Sequence, residues 1–255
     1  MPDDHITTYR APCAGLEPTE VRGATSRREF LRLVGAVGAF AALPGLVMAC
    51  DSDEVTAPLN GIPGSGSPLL IDFARGDAAV LQFALVLEHL EADFYTRVVD
   101  AFDSSNITTA ERAVLTEIRN HEVAHREFLK RVLGTEDALT ATPTFRGIDF
   151  ADRTAALTAA KELEDLGVAA YNGVVQYLVT AENVLAVSKI VSVEARHAAT
   201  IRDLLSARSA EFSPNPADEV FRPAKVAAMM QSSLVDKLGF VNSPASFVQG
   251  PRGNG

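Results

Sequence analysis

The sequence predicts an all-α protein, a four-helix bundle with one long crossover between its second and third helices and a short helix after the fourth. Three observations carry this. Ala-rich segments with apolar residues at helical spacing fill the middle of the chain, Trp is absent, and Gly and Pro gather outside that middle. The connections between the periodic segments run short, long, short. Glutamate recurs on the apolar stripe of every segment, and histidine joins it on two of them.

The first helix starts at Asp77 as N-cap and runs to about Phe102, with Leu81, Leu85, Glu88, Ala92, Tyr95 and Val99 in register. Asp103 to Asn106 form a turn. Thr108 and Glu111 form a capping box that opens the second helix. That helix carries Val114, Ile118, Glu122, His125, Leu129 and Val132 and stops at Gly134. Residues 135–151 show no sustained period and include Pro143 and Gly147. Such a length can carry the chain from one end of a bundle to the other.

The third helix begins near Asp152, with Leu157, Ala160, Glu164, Val168 or Gly167, and Tyr171 on one face. After a break near Val179 to Glu182, the fourth presents Val187, Ile190, Glu194, His197, Ile201 and Leu204 and ends by Ser209. A short helix is expected from Arg222 to Lys237, with Pro223 at its start and Gly239 at its end. The stretch from Ser243 onward reads as loose.

Both ends of the chain lie outside this bundle, which occupies residues 69–210, with 211–255 as a C-terminal extension. Ser26-Arg27-Arg28-Glu29-Phe30-Leu31-Arg32 resembles the twin-arginine export motif, with Arg32 where lysine is usual. The apolar run from Leu33 to Ala49 is short and broken by glycines and Pro44. It ends in Leu46-Val47-Met48-Ala49-Cys50, which resembles a lipobox. The expectation is export of a folded chain, removal of residues 1–49, and a lipid anchor on Cys50 at a periplasmic or cell-surface membrane; the alternatives are a buried helix or a transmembrane anchor. Residues 50–68 read as a flexible tether. Cys13 and Cys50 form neither a zinc motif nor a disulfide framework. Net charge is −10, from 23 basic and 33 acidic residues, which argues against a nucleic-acid partner held through phosphates.

The chemistry lies in an internal repeat. The first half gives Glu88, Tyr95, then Glu122-x-x-His125; the second gives Glu164, Tyr171, then Glu194-x-x-His197. The midpoint between Glu88 and Glu122 is Ser105, in the predicted turn, and that between Glu164 and Glu194 is Val179, at the predicted break. Folding each half as a hairpin therefore sets its glutamates at one level. Four unpaired carboxylates in a bundle core would cost about as much as a whole domain's stability of roughly 5–15 kcal/mol. Two divalent cations would cancel their charge, and two imidazoles would complete an O/N shell suited to iron or manganese. The alternatives are protonated glutamates, a cavity open to water, or a relic bundle whose ligands no longer bind.

The segments LQFALVLEHLEADFY, NHEVAHREFL, ELEDLGVAAY and SVEARHAATIR resemble the ferritin-like superfamily over about residues 69–210, and within it the exported, desiccation-related type. The resemblance implies a dinuclear centre held by Glu88, Glu164 and the two Glu-x-x-His pairs, with Glu122 and Glu194 bridging and His125 and His197 each serving one ion. It also implies reactions with peroxide, dioxygen or ferrous iron in oxidative or desiccation stress. The alternative is a stress-associated or metal-binding bundle without turnover. Glu91, one turn from Glu88, is a further candidate ligand; His121 and His89 flank ligand positions. Tyr95 and Tyr171 are candidates for hydrogen bonds to ligands of the opposite half, for redox relays, or for plain buried packing.

Overall fold

The computed structural model describes residues 68–244. The twin-arginine-like segment, Cys50, the tether up to Ser67 and the tail from Ala245 lie outside the described residues. The fold is built from α1 (Asp77–Asp100), α2 (Thr109–Asp137), α3 (Arg153–Val174) and α4 (Ala181–Leu205), followed by α5 (Pro223–Met230). Two short strands, β1 (Leu69–Asp72) and β2 (Leu238–Val241), frame the bundle in sequence. Among the described residues no helix is long and apolar enough to cross a membrane.

Within the bundle α1 packs chiefly on α2, and α3 on α4. Helix α1 is buried on nearly every face, which is why its sequence is apolar almost throughout. Its expected N-cap is displaced. Gly76, at φ +58°, takes the cap position, and Asp77 is the first helical residue. The Asp77 carboxylate turns across the bundle and accepts from the Val179 and Thr180 amides (2.8 and 3.1 Å) and from Asn183 Nδ2 (2.9 Å). Thr180 caps α4 without a side-chain bond of its own, so an acid on α1 satisfies amides that the start of α4 would leave unpaired.

At the opposite end, the capping box forms as expected: Glu111 Oε2 accepts from the Thr108 amide at 2.9 Å. The other Glu111 oxygen takes the Arg153 Nε at 2.7 Å, and Arg153 also donates to the Leu204 carbonyl at 2.7 Å. One guanidinium thus joins the starts of α2 and α3 to the end of α4. The crossover spans the bundle between these ends. It leaves α2 where Asp137 pairs with Arg75 (2.7 Å) and arrives where Asn106 accepts from the Arg153 amide (2.6 Å). On the way Phe145 sets its ring edge-on to Phe94, with centroids 5.3 Å apart.

Two further boundaries differ from the sequence reading. The second helix does not stop at Gly134: the residue leaves helical geometry (φ 73°), and one more turn follows to Asp137. That turn is held from α1, because Gln82 Nε2 donates to the Asp137 carbonyl at 2.8 Å. The C-terminal helix covers Pro223–Met230 rather than reaching Lys237. Gln231 ends it by donating to the Asp236 carbonyl (3.1 Å) and accepting from the Leu238 amide (3.2 Å), which turns the chain into β2. Gly239 is consequently a strand residue, paired in parallel with Leu70 in the register Leu69↔Leu238.

The C-terminal segment also lies on the bundle. The Phe221 amide donates to the Ala169 carbonyl at 3.0 Å, and Gly173 lacks the side chain that would strike the Phe221 carbonyl. The apolar core falls into two clusters. One gathers Phe83, Leu87, Leu90, Tyr171, Val187 and residues of the β-strands and α5; the other gathers Phe94, Tyr95, Leu115, Leu157 and Ile201. Glu91 on α1 falls in sequence between Leu90 of the first cluster and Phe94 of the second.

Candidate metal centre

The bundle core holds Glu88, Glu91, Glu122, Glu164 and Glu194, all without measurable exposure, with His197 at 4 %. Helical periodicity explains the placement, since each acid occupies the stripe that packing turns inward. Among the described residues no Lys or Arg is buried with them. The cationic groups beside them are the imidazoles of His125 and His197.

Two groups of ligand atoms converge. Glu88, Glu122, His125 and Glu194 form one, and Glu122, Glu164, Glu194 and His197 the other, with the atoms of each group within 4.8 Å of one another. Glu122 and Glu194 belong to both. His125 Nδ1 lies 2.8 Å from Glu194 Oε1 and 3.3 Å from Glu122 Oε2. His197 Nδ1 lies 2.7 Å from Glu122 Oε1 and 3.2 Å from Glu194 Oε2. Each imidazole therefore approaches both glutamates of the Glu-x-x-His pairs, its own and the opposite one.

The tyrosines cross in the same way. Tyr95 on α1 donates to Glu164 Oε1 on α3 at 2.5 Å, and Tyr171 on α3 donates to Glu88 Oε1 on α1. Of the sequence alternatives, the hydrogen bond to the opposite half is the one observed. His121 is exposed and stacks on His197, with 2.9 Å between His121 Nδ1 and His197 Nε2. His89 points away from the cluster, its Nε2 lying 3.1 Å from the Leu139 carbonyl.

Burial dominates the protonation of the metal-free cluster. It pushes Glu88 up to about 8, helped by the charge of Glu194. Burial also drives Glu91 and Glu164 well above the usual carboxyl range, aided by Glu194 and Glu122 respectively. Glu122 moves down instead: burial opposes this, but the close approach and charge of His125 and His197 outweigh it. For the imidazoles burial favours the neutral form, yet Glu122 and Glu194 overcome it. His125 is pushed up to about 12 and His197 up to about 10. Protons stand where cations would otherwise balance the acids.

Several acceptors stay unmatched even so. Glu88 Oε2, Glu122 Oε1, Glu164 Oε2 and Glu194 Oε1 are buried without a hydrogen-bond partner. The Glu122 and Glu194 oxygens are the atoms that the opposite imidazole approaches most closely, so proximity is present and hydrogen-bond direction is not. That is the signature of donor atoms turned toward a shared point. Adjacent ligands of an octahedral ion with bonds of about 2.1 Å stand roughly 3 Å apart. The separations of the two imidazoles from Glu122 and Glu194, 2.7 to 3.3 Å, fit that edge length, those from His125 to Glu88 (3.6 Å) and from His197 to Glu164 (3.8 Å) are wider, and carboxylate with imidazole is a donor set that iron and manganese accept.

A helical bundle with glutamates and two Glu-x-x-His pairs facing inward defines the class of helical carboxylate proteins whose core is compatible with a two-metal site. Residues 76–207, more than half of the chain, match the family model of the ferritin-like domain, and the chain belongs to that family. No curated protein matches the chain.

All six side chains expected from the sequence as ligands thus meet at one place. What sequence reasoning underweighted is Glu91, which is as buried as the four glutamates among the six and has neither carboxylate oxygen hydrogen-bonded. A signal was present, because aligning the internal repeat sets Glu91 opposite a glycine, Gly167.

Proposed function

We propose that the protein is an exported, lipid-anchored oxidoreductase that holds two iron or manganese ions and acts on peroxide, dioxygen or ferrous iron in protection against oxidative or desiccation stress. The observation that carries the reading is the sharing of Glu122 and Glu194 between two four-residue ligand groups. Two carboxylates common to two groups are what a bridged pair requires.

Glu88 and His125 would complete one position, Glu164 and His197 the other. When bound, iron or manganese supplies redox equivalents and Lewis acidity. The chain's own residues do the rest. Tyr95 and Tyr171 fix the carboxylates of Glu164 and Glu88 by donating to Oε1, which leaves Oε2 of each free to bind. His197 faces Glu122 and Glu194 through Nδ1, so an ion held there would leave the ring proton on Nε2, from which it would be donated to His121 Nδ1. The imidazole side is the one nearer solvent, since the His125 side chain is 14 % exposed while Glu88 and Glu164 are sealed. A small oxidant or a ferrous ion would enter there.

Metal analysis of the purified chain should find two ions per molecule. The loaded protein should consume peroxide, take up dioxygen or oxidise ferrous iron, and Glu122→Ala, checked for helical content, should lose that turnover. A loaded protein inert toward all three substrates would overturn the enzymatic reading and leave a metal-binding bundle.

A further inference from the structure

After α4 the chain makes a 3₁₀ turn at Ala210–Phe212, opened by Ser209, whose Oγ accepts from the Glu211 amide at 3.2 Å. Pro214 and Pro216 then keep it out of helix until Phe221 bonds back to α3 and α5 begins. Between this segment and helices α3 and α4 is a cavity of about 820 Å³. Pockets of roughly 300–1,000 Å³ hold small organic ligands.

Two properties of the lining define what it would take. The first is apolar surface. Ala195, Ala198 and Ala199 of α4 leave the space open on the bundle side, and Phe94 of α1 lies at its buried end. Phe212 and Met229 line the same cavity while 54 % and 50 % exposed. Large apolar side chains gathered open around one hollow mark a place for an apolar partner. The second property is charge. Glu162, Asp165, Asp218 and Glu219 stand in the lining against a single cation, Arg202. Asp165 already holds that guanidinium by two bonds, Nε to Oδ1 at 3.0 Å and Nη2 to Oδ2 at 2.7 Å. Glu162, Asp218 and Glu219 are exposed and take no ion pair among the described residues.

We propose that this cavity is a second binding site for an amphipathic organic cation, with an aromatic or branched body enclosed by the Phe and Met walls and an alkylated ammonium-like group held by the three acids. An anionic amphiphile such as a fatty acid would meet those acids and only an already neutralised guanidinium. Methionine and phenylalanine adapt to many shapes, so charge sets the selectivity more than outline does. The site stands apart from the two-metal reading, because it shares no residue with either ligand group.

Tetraphenylphosphonium and tetraphenylborate have one shape and opposite charge, so together they separate apolar fit from electrostatics. In equilibrium dialysis at low salt the purified full chain should bind one phosphonium ion about tenfold more tightly than the borate, and added salt should narrow the gap. Glu162→Gln, Asp218→Asn and Glu219→Gln together should bring the two affinities level. Ala199→Phe takes the space and leaves every charge, so it distinguishes a site from the general attraction of an acidic chain for cations. It should weaken phosphonium binding about tenfold or more. Phe212→Ala, at an exposed position, should act in the same direction and decides the question if Ala199→Phe fails to fold. No phosphonium binding, equal affinity of wild type for the two ions, or a phosphonium affinity untouched by both Ala199→Phe and Phe212→Ala would each overturn the proposal.

Discussion

Tyr95 on α1 and Glu164 on α3 are joined by a hydroxyl that donates to Glu164 Oε1 at 2.5 Å, wholly inside the bundle. The bond matters because Glu164 Oε2 already lacks a partner. Tyr95→Phe leaves the whole carboxyl unmatched. The expected cost is about 1–3 kcal/mol of stability in the metal-free protein, measured by urea unfolding. Metal affinity should also fall roughly tenfold, because the ligand loses the group that orients it. Tyr171→Phe should act alike through Glu88. Full affinity in both variants would show that the tyrosines only fill space.

The metal-free protein should lose stability as pH rises. Glu88, raised to about 8, and Glu164, also raised by burial, hold protons more firmly folded than unfolded. Their contribution is complete below the ordinary carboxyl value of 4.5 and fades as pH climbs through the folded value. His125 at about 12 and His197 at about 10 have the same sign, complete below 6.5 and lost on the way to those folded values. Glu122, moved down, contributes oppositely: it stabilises above the ordinary carboxyl value and loses that as pH falls through its folded value. The balance predicts a metal-free Tm that declines from about pH 6 to about pH 9. Metal affinity should rise over the same range, since ions displace protons from the ligands. A metal-free Tm that rises across it would contradict the assignment.

Asp77→Ala should loosen the end of the bundle away from the crossover's arrival. Three donors lose their acceptor at once, two of them backbone amides at the start of α4. A loss of about 1–2 kcal/mol is expected, as for a missing helix cap. Hydrogen exchange should quicken at Val179 and Thr180 first. If exchange there is unchanged, the Asp77 carboxylate does not hold these amides in solution.

Gly173→Ala should prise the C-terminal segment from α3, because the new methyl would strike the rigid backbone carbonyl of Phe221. The expected cost is about 1–3 kcal/mol, typical of overpacking, read from thermal unfolding. Metal stoichiometry should not change, since Gly173 belongs to neither ligand group. A stable variant would mean that Phe221 moves aside freely.

Charged residues in core slots are conspicuous, which is why Glu88, Glu122, Glu164 and Glu194 can be picked out from periodicity alone. Thr108 and Glu111 are legible as a cap for a local reason, as each supplies the other's capping partner within one turn, while the Arg153 bond to Glu111 is long-range and is not. Asp77 is misread because Asp before an apolar run looks the same whether it caps its own helix or one a hundred residues away. The strand pair is not legible at all. Each strand has four residues, their pairing joins opposite ends of the described chain, and neither carries enough alternation to stand out. The turn after Gly134 escapes notice for a similar reason, since its support comes from Gln82 and Arg75 on distant segments.

At Gly167 any side chain would collide with Glu91 Oε1. Because the tyrosines and imidazoles cross between hairpins, two copies of the first hairpin would reproduce every crossed contact of the centre but one. At that place Glu91 would meet a second Glu91, two acids in a space cleared for one. The halves share a pattern without being interchangeable. A single hydrogen in place of a side chain gives the bundle a front and a back.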